Sequence, residues 1–251
     1  MKGKKVLITR SKEDNKEFKE QLERKGAEVV EAPMIQFKVS GNLTAIYEQL
    51  NQLESIDWIV FTSPKTVEFF FAIAEDFGTK FYYYPDLKLA TVGEKTKLKL
   101  EHLGYRTNFV PIQYTAEVLA ENMDENIEGK NVLIPQSNIA SKEYLEVFNK
   151  RGAQPIPVTI YETLAVNYPV DSFTKKVNDI DYLTFTSSSA FKAFMGNAKN
   201  SGVKLTKEKI ICIGPSTAKV VQQYNQKISA IAEPHTTEGM TSAIEKLEEH
   251  V

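Results

Sequence analysis

Six short segments hold most of this sequence's capacity to bind a ligand. They are Thr9-Arg10-Ser11, Thr62-Ser63-Pro64-Lys65-Thr66, Val92-Gly93-Glu94-Lys95-Thr96, Pro135-Gln136-Ser137-Asn138, Thr186-Ser187-Ser188-Ser189 and Ile213-Gly214-Pro215-Ser216-Thr217. Each follows a short apolar run and precedes a more polar one, the pattern of a strand-to-helix turn. A helix start offers backbone N–H groups with no partner inside the helix and the positive end of its dipole. Any one of these turns has an ordinary reading, because Ser and Thr are common helix caps and Gly93 and Gly214 can simply permit the turn. All six at the carboxyl ends of parallel strands suit a ligand bearing several carboxylates or phosphates. Tyr161 is the other residue with usable chemistry. Its phenol can donate a hydrogen bond or act as a weak acid, or its ring can simply pack one strand against another.

Other chemistries leave no trace. No Gly-rich dinucleotide fingerprint follows a strand, no phosphate loop ends in a Lys-Ser/Thr pair, and no Cys/His group has metal spacing, so neither cofactor nor metal is expected. His102, His235 and His250 are scattered. Cys212 stands inside the apolar run IICIG and reads as a buried, inert thiol. A single cysteine forms no internal disulfide, which fits a reducing compartment. The formal net charge of −2 gives no electrostatic footprint for nucleic acid. No stretch is long enough to span a bilayer, and the N-terminus lacks a signal-peptide core, so a cytoplasmic location is expected.

The elements that must position these turns alternate along the chain. Lys5–Thr9, Glu28–Ala32, Asp57–Thr62, Lys88–Val92, Asn131–Ile134, Ile180–Thr186 and Ile210–Ile213 read as strands. Amphipathic runs at 12–25, 64–75 and 94–103 read as helices, the first and last stopped by Gly26 and Gly104. Such alternation argues for an α/β fold with parallel sheets covered by helices on both faces. An internal repeat is superimposed on it. Gly3–Arg10 resembles Gly129–Gln136, Lys25–Ile35 resembles Arg151–Tyr161, Asp57–Phe70 resembles Asp181–Phe194, and Leu89–Leu100 resembles Ile210–Val221. The four matches keep their order at offsets of about 121 to 126 residues, which marks two related halves. Met34–Ser40 and Val158–Val166 occupy matching places, lack helical periodicity and read as hinge strands. The charged run Glu245–His250 reads as a solvated helix face.

The ordered series of segments resembles the uroporphyrinogen-III synthase family over nearly the whole length. The carrying residues are VLITR at Val6–Arg10, GAEVVEAPMI at Gly26–Ile35, DWIVFTSPKTVEFF at Asp57–Phe70, TVGEKT at Thr91–Thr96, Tyr161 to Thr163, TFTSSSAFKAF at Thr184–Phe194, IGPSTA at Ile213–Ala218 and AEPHTTEGM at Ala232–Met240. The second half has Gln136 where the first has Arg10. The resemblance implies two similar flavodoxin-like lobes joined by a two-stranded hinge: residues 1–35 with 167–251, residues 41–158, and hinge strands at 36–40 and 159–166. It implies closure of hydroxymethylbilane to uroporphyrinogen III, without a cofactor, with ring D inverted through a spiro intermediate. It gives Tyr161 the role of acid and makes Arg10, Thr62, Ser63, Gly93, Ser137, Ser187, Ser188, Gly214 and Thr217 the residues that surround the substrate. The upstream bilane-forming enzyme is a candidate partner, and a monomer is expected.

Two other readings compete. A two-lobed nucleotide-sugar glycosyltransferase would share the architecture, but the chain is short for it and shows no acidic sugar-nucleotide motif. A non-catalytic tetrapyrrole sensor is expected to carry an attached DNA-binding or signalling domain and to dispense with the hinge Tyr, whereas Tyr161 is present and no basic extension precedes Val251.

Overall fold

The computed structural model describes residues 1–124 and 126–249; His250 lies outside them. The first elements in chain order are β1 (Lys5–Ile8), α1 (Asn15–Arg24), β2 (Glu28–Glu31), β3 (Ile35–Val39) and α2 (Thr44–Leu50). Then come β4 (Trp58–Phe61), α3 (Pro64–Phe77), β5 (Lys88–Thr91), α4 (Glu94–His102), α5 (Ala116–Asn122), β6 (Asn131–Ser137), α6 (Glu143–Lys150) and β7 (Gln154–Ala165). The rest are α7 (Val170–Val177), β8 (Tyr182–Phe185), α8 (Ser188–Ser201), β9 (Lys209–Cys212), α9 (Pro215–Gln223), β10 (Ile228–Ile231) and α10 (Thr237–Glu249). They form two compact units, Met1–Phe37 with Leu164–Val251, and Lys38–Thr163.

The discontinuous unit carries a five-stranded sheet in the order β10-β9-β8-β1-β2, with every neighbour pair parallel. Its strands are apolar because both faces are covered, and β8 is buried along its whole length. Side chains alternate between the faces with the two-residue period of a strand. Val6, Ile8, Tyr182 and Ile211 face Phe18 and Leu22 of α1 and Met240 and Ile244 of α10. Leu7, Leu183, Phe185, Ile210 and Cys212 face Phe173 of α7, Phe191 and Phe194 of α8, and Val221 of α9.

The contiguous unit repeats this plan. Its sheet runs β3-β7-β6-β4-β5, and Phe109 bridges Ala90 in parallel beyond β5. The pairs β4–β5, β4–β6 and β6–β7 are parallel. Leu119 and Ala120 of α5, Met123 just after it, and Tyr144 and Phe148 of α6 cover one face, packed on Trp58, Val60, Val132 and Ile134. On the other, α3 lies beside α4, and Phe70 meets Phe61 edge to face at 5.3 Å. The corresponding helices α3 and α8 end alike, each capped by a left-handed glycine, Gly78 at φ 85° and Gly202 at φ 69°. A Cβ is strained in that region, so Gly is the residue suited to the stop.

The stretch read from the sequence as a hinge strand, Val158–Val166, begins earlier in the structure. Gln154–Ala165 is one continuous strand, and its early part pairs with β6. Its later part lies beside β3, with hydrogen bonds from Ser40 N to Ile160 O and from Val166 N to Met34 O. Pro155 and Pro157, which have no N–H to give, fall in the part before those bonds, where a missing donor costs no ladder bond to β3.

Candidate active site at the carboxyl ends of the strands

In the contiguous unit the strand order reverses between β6 and β4. The chain leaves β6 towards β7 on one side and β4 towards β5 on the other, and in an open parallel sheet such a divergence is where a ligand crevice forms beyond the strand ends. Ser63 caps α3 there. Its extended backbone, at φ −155° and ψ 157°, aims the side chain back so that Oγ accepts from Thr66 N at 3.1 Å, and Pro64 pre-sets the first turn. Ser63 Oγ also lies 2.9 Å from Thr66 Oγ1. Ser137 ends β6 and is the register partner of Tyr161 in β7, after an irregularity in the ladder. The Tyr161 carbonyl serves the backbone frame, accepting from Asn138 N at 3.1 Å. Its ring is buried and lies flat on Phe69 at 4.8 Å and 7°. Its hydroxyl comes within 3.5 Å of Ser63 Oγ. The ring therefore packs as an aromatic does, while the phenol reaches the helix start.

Gly93 caps α4 one strand further along, with no side chain to accept from the first turn. Thr62 is half-buried in the junction between β4 and α3. Gln136, where the other half has Arg10, is buried and accepts from the Tyr144 hydroxyl at 2.6 Å. Burial, with the charge of Glu117 adding to it, pushes that phenol up to about 12, so it stays a neutral donor. A neutral amide thus takes the place of a cation beside this crevice.

The discontinuous unit reverses its order between β1 and β8. Ser187 caps α8 as Ser63 caps α3, with φ −159° and ψ 154° and a bond from Ala190 N at 3.1 Å. Ser188 Oγ donates to Ser216 O at 3.4 Å, tying this turn to the one that opens α9. Gly214 caps α9, again without a side chain, and Pro215 follows in its first turn. The Thr217 side chain is buried, so only its backbone can face a ligand. Thr9 and Thr184 lock β1 to β8 by reciprocal bonds, Thr9 Oγ1 to Thr184 O at 2.7 Å and Thr184 Oγ1 to Leu7 O at 2.8 Å. Arg10, next in the chain, lines a surface concavity of about 460 Å³ with Glu13, Asp14, Lys16, Glu17 and Glu20. Those carboxylates make poor company for an anionic ligand.

Each unit thus gathers its own turns at one end of its sheet. Ser63, Ser137 and Tyr161 meet around one crevice, and Ser187, Ser188, Gly214 and the Thr217 backbone around the other. Two aromatic residues at these turns escape the sequence reading. Tyr114 lies against Gly93, and His235 lies against Gly214. The signal that finds them is a further repeat match, Tyr114-Thr115-Ala116-Glu117 against His235-Thr236-Thr237-Glu238. A cavity of about 400 Å³ lined by Phe71, Glu75, Phe81, Leu103 and Tyr105 lies elsewhere, at the carboxyl ends of α3 and α4. Cys212 is buried and its thiol is pushed up to about 12 by that burial, which removes it as a nucleophile. Among the described residues no His, Cys, Asp or Glu cluster could hold a metal ion, and no helix is long and apolar enough to cross a membrane.

Known proteins give the arrangement its relatives. A Ruminiclostridium josui porphyrin biosynthesis protein HemD is 29% identical over 95% of this chain, which spans about half, 47%, of that protein's length. The uroporphyrinogen-III synthase of Synechococcus elongatus is 25% identical over 97% of this chain and 95% of its own. The crystal structure of uroporphyrinogen-III synthetase from Helicobacter pylori has the same fold, with a TM-score of 0.70 at 16% identity over 98% of this chain and all of that one. The family model for uroporphyrinogen-III synthase HemD matches residues 16–242, so that every strand named above except β1 and all the turns but the first fall inside it, and the chain belongs to the uroporphyrinogen-III synthase family.

Proposed function

We propose that the protein is a uroporphyrinogen-III synthase, a hydro-lyase that closes hydroxymethylbilane to uroporphyrinogen III. The observation that carries this reading is the Tyr161 hydroxyl, 3.5 Å from the Ser63 cap of α3 at the point where the strand order reverses. A phenol placed at a helix start sits beside amides that can hold a substrate carboxylate. There it can give its proton to the ring A hydroxymethyl oxygen as the C–O bond breaks. Water leaves and the azafulvene remains in its protonated, cationic form, balanced by the phenolate. Ring D attacks through its substituted carbon to form the spiro intermediate, which reopens and recloses with ring D inverted. The proton that ring D loses on closure restores the phenol.

Eight carboxylates on the bilane call for many anion positions. We assign these to the turns at Thr62, Ser63, Gly93 and Ser137 in one unit and at Ser187, Ser188, Gly214 and Thr217 in the other; Arg10, among the carboxylates of its own concavity, is left out of the set. Amides fixed in a helix start hold anions without a surplus of Lys and Arg, in keeping with a net charge of −2. Held in one fold, the bilane closes through the substituted carbon before it can close unaided, which is catalysis by positioning. The test is to supply freshly made hydroxymethylbilane and separate the isomers. Type III product is expected; type I alone, at the rate seen without protein, would remove the enzyme and leave the sensor reading.

A further inference from the structure

We propose that Tyr114 and His235 are a matched pair of substrate-positioning residues, one in each unit, whose rings give the pyrrole faces of the bilane an apolar wall beside the helix starts at Gly93 and Gly214. The inference rests on the reading of those turns as carboxylate positions and adds what holds the rings between the carboxylates.

Three observations make the two residues equivalent. They lie 121 residues apart, the offset of the last repeat match, and each precedes a Thr. Thr115 Oγ1 accepts from Val118 N at 3.2 Å and Thr236 Oγ1 accepts from Gly239 N at 3.2 Å, opening α5 and α10 respectively. Those helices cover corresponding faces, α5 beside α6 and α10 beside α1. The third is the placement of the rings. A Cβ built on Gly93 would stand 3.3 Å from Tyr114 Cγ, and one on Gly214 would stand 3.5 Å from His235 Cγ.

The glycines themselves support this. Gly93 has φ −159° and Gly214 φ −169°, extended backbone that any residue adopts, so conformation does not require glycine at either place. At Gly93 the Tyr114 ring is what a side chain would crowd; at Gly214 a Cβ would make ordinary van der Waals contact with the His235 ring. The rings also stand where substrate can touch them. Tyr114 is 61% exposed, so much of its ring is open to a ligand. His235 is exposed too, yet it is held in place by Nδ1, which donates to Ala232 O at 2.7 Å and so carries a proton. One polar atom is spent on orientation and the ring face is left for contact. A pyrrole bearing carboxylates needs both an apolar face and nearby amides, and each of these corners provides the two together.

The test compares Tyr114→Ala, His235→Ala, Tyr114→Phe, His235→Phe and the control Tyr83→Ala, an exposed aromatic away from the turns. Steady-state kinetics with hydroxymethylbilane and fluorescence titration with uroporphyrin III as the probe are the readouts. Each alanine variant is expected to raise KM and the probe's Kd by about three- to tenfold, the range of one aromatic contact, and to lower kcat by less. Tyr114→Phe, which keeps the ring, is expected to stay within about twofold of the parent, and His235→Phe, which keeps a ring but loses the bond that orients it, to fall between the parent and the alanine variant. Tyr114→Leu and His235→Leu, which keep bulk over the glycines, are expected to behave as the alanines do and serve if alanine lowers the melting temperature. Unchanged KM and Kd in the alanine and leucine variants of an active protein overturn the pair and leave the synthase reading standing. Loss in the Phe variants equal to that in the alanines overturns it as well, by assigning the effect to the polar atom. A parent chain that makes no type III product takes both down together.

Discussion

Tyr161 has its ring stacked on Phe69 and its hydroxyl within reach of a helix cap, so its packing role and its chemical role belong to different atoms. Tyr161→Phe separates them. The variant keeps the stack, so its melting temperature should match the parent's, while kcat should fall by about 10²-fold, the lower range for losing a general acid. Stopped assays of type III formation check it, and unchanged turnover would reduce the phenol to packing. Cys212 and Tyr144 make a different prediction, about pH. Burial keeps both neutral in the fold up to about pH 12, whereas the unfolded chain releases these protons near 9.0 and 10.0. Protons held by the native state and lost by the unfolded one favour unfolding as pH rises. Their contribution to stability is therefore intact below pH 9 and eroded between there and 12. Urea midpoints measured from pH 7 to 11 should hold level and then decline; a rise above pH 9 would contradict the sign. Sequence alone places Cys212 correctly inside its strand, because an apolar run leaves a thiol little alternative. It cannot tell which atoms of Tyr161 pack and which stay usable, because that depends on Phe69, a residue of another element.

At the scale of elements, the serine caps and one glycine decide how the helix starts are held. Ser63→Ala and Ser187→Ala each remove the acceptor for a first-turn amide and should cost about 1 kcal/mol by denaturant titration. Gly239 in the first turn of α10 is more demanding. A Cβ there would fall 1.9 Å from Pro234 O, a backbone atom that cannot swing aside. Gly239→Ala should therefore destabilise by about 3 kcal/mol, the upper end for an overpacked site, or fail to fold. A melting temperature equal to the parent's would mean the turn holding His235 is looser than it stands here. Most strands and the helices α3 and α4 are legible within a residue or two, and α1 within three at its start, where Lys12–Asp14 forms a tighter turn; glycines stand just beyond the ends of all three helices. The junction inside β7 is not. The prolines at 155 and 157 break the pattern of a strand, and the ladder to β6, which runs from Gln154 to Tyr161, carries the strand across them.

The whole chain is a repeat redistributed between two sheets. Counterpart strands, β1 with β6, β2 with β7, β8 with β4 and β9 with β5, hold corresponding places in the two sheets. The order β2-β1-β8-β9-β10 is that of a flavodoxin-like sheet, and β7-β6-β4-β5 repeats it from a shifted starting strand. Each sheet takes two strands from the first copy of the repeat and two from the second. The repeat itself is plain in the sequence, but this exchange is not, because strand-turn-helix segments look alike whichever sheet receives them. The turns of the site are legible for the same reason that their roles are ambiguous: Ser, Thr and Gly cap helices everywhere. What singles these out is the shared end of each sheet.

The claim beneath all of this is that backbone amides at the strand ends hold the substrate's carboxylates. Titrating the isotope-labelled protein with uroporphyrin III and following backbone amide resonances tests it directly. The shifts should concentrate at residues 63–66, 93–96, 187–190 and 214–217. Perturbations gathered instead around the cavity of Phe71 and Tyr105, or on the outer helix faces, with those four turns silent, would contradict it.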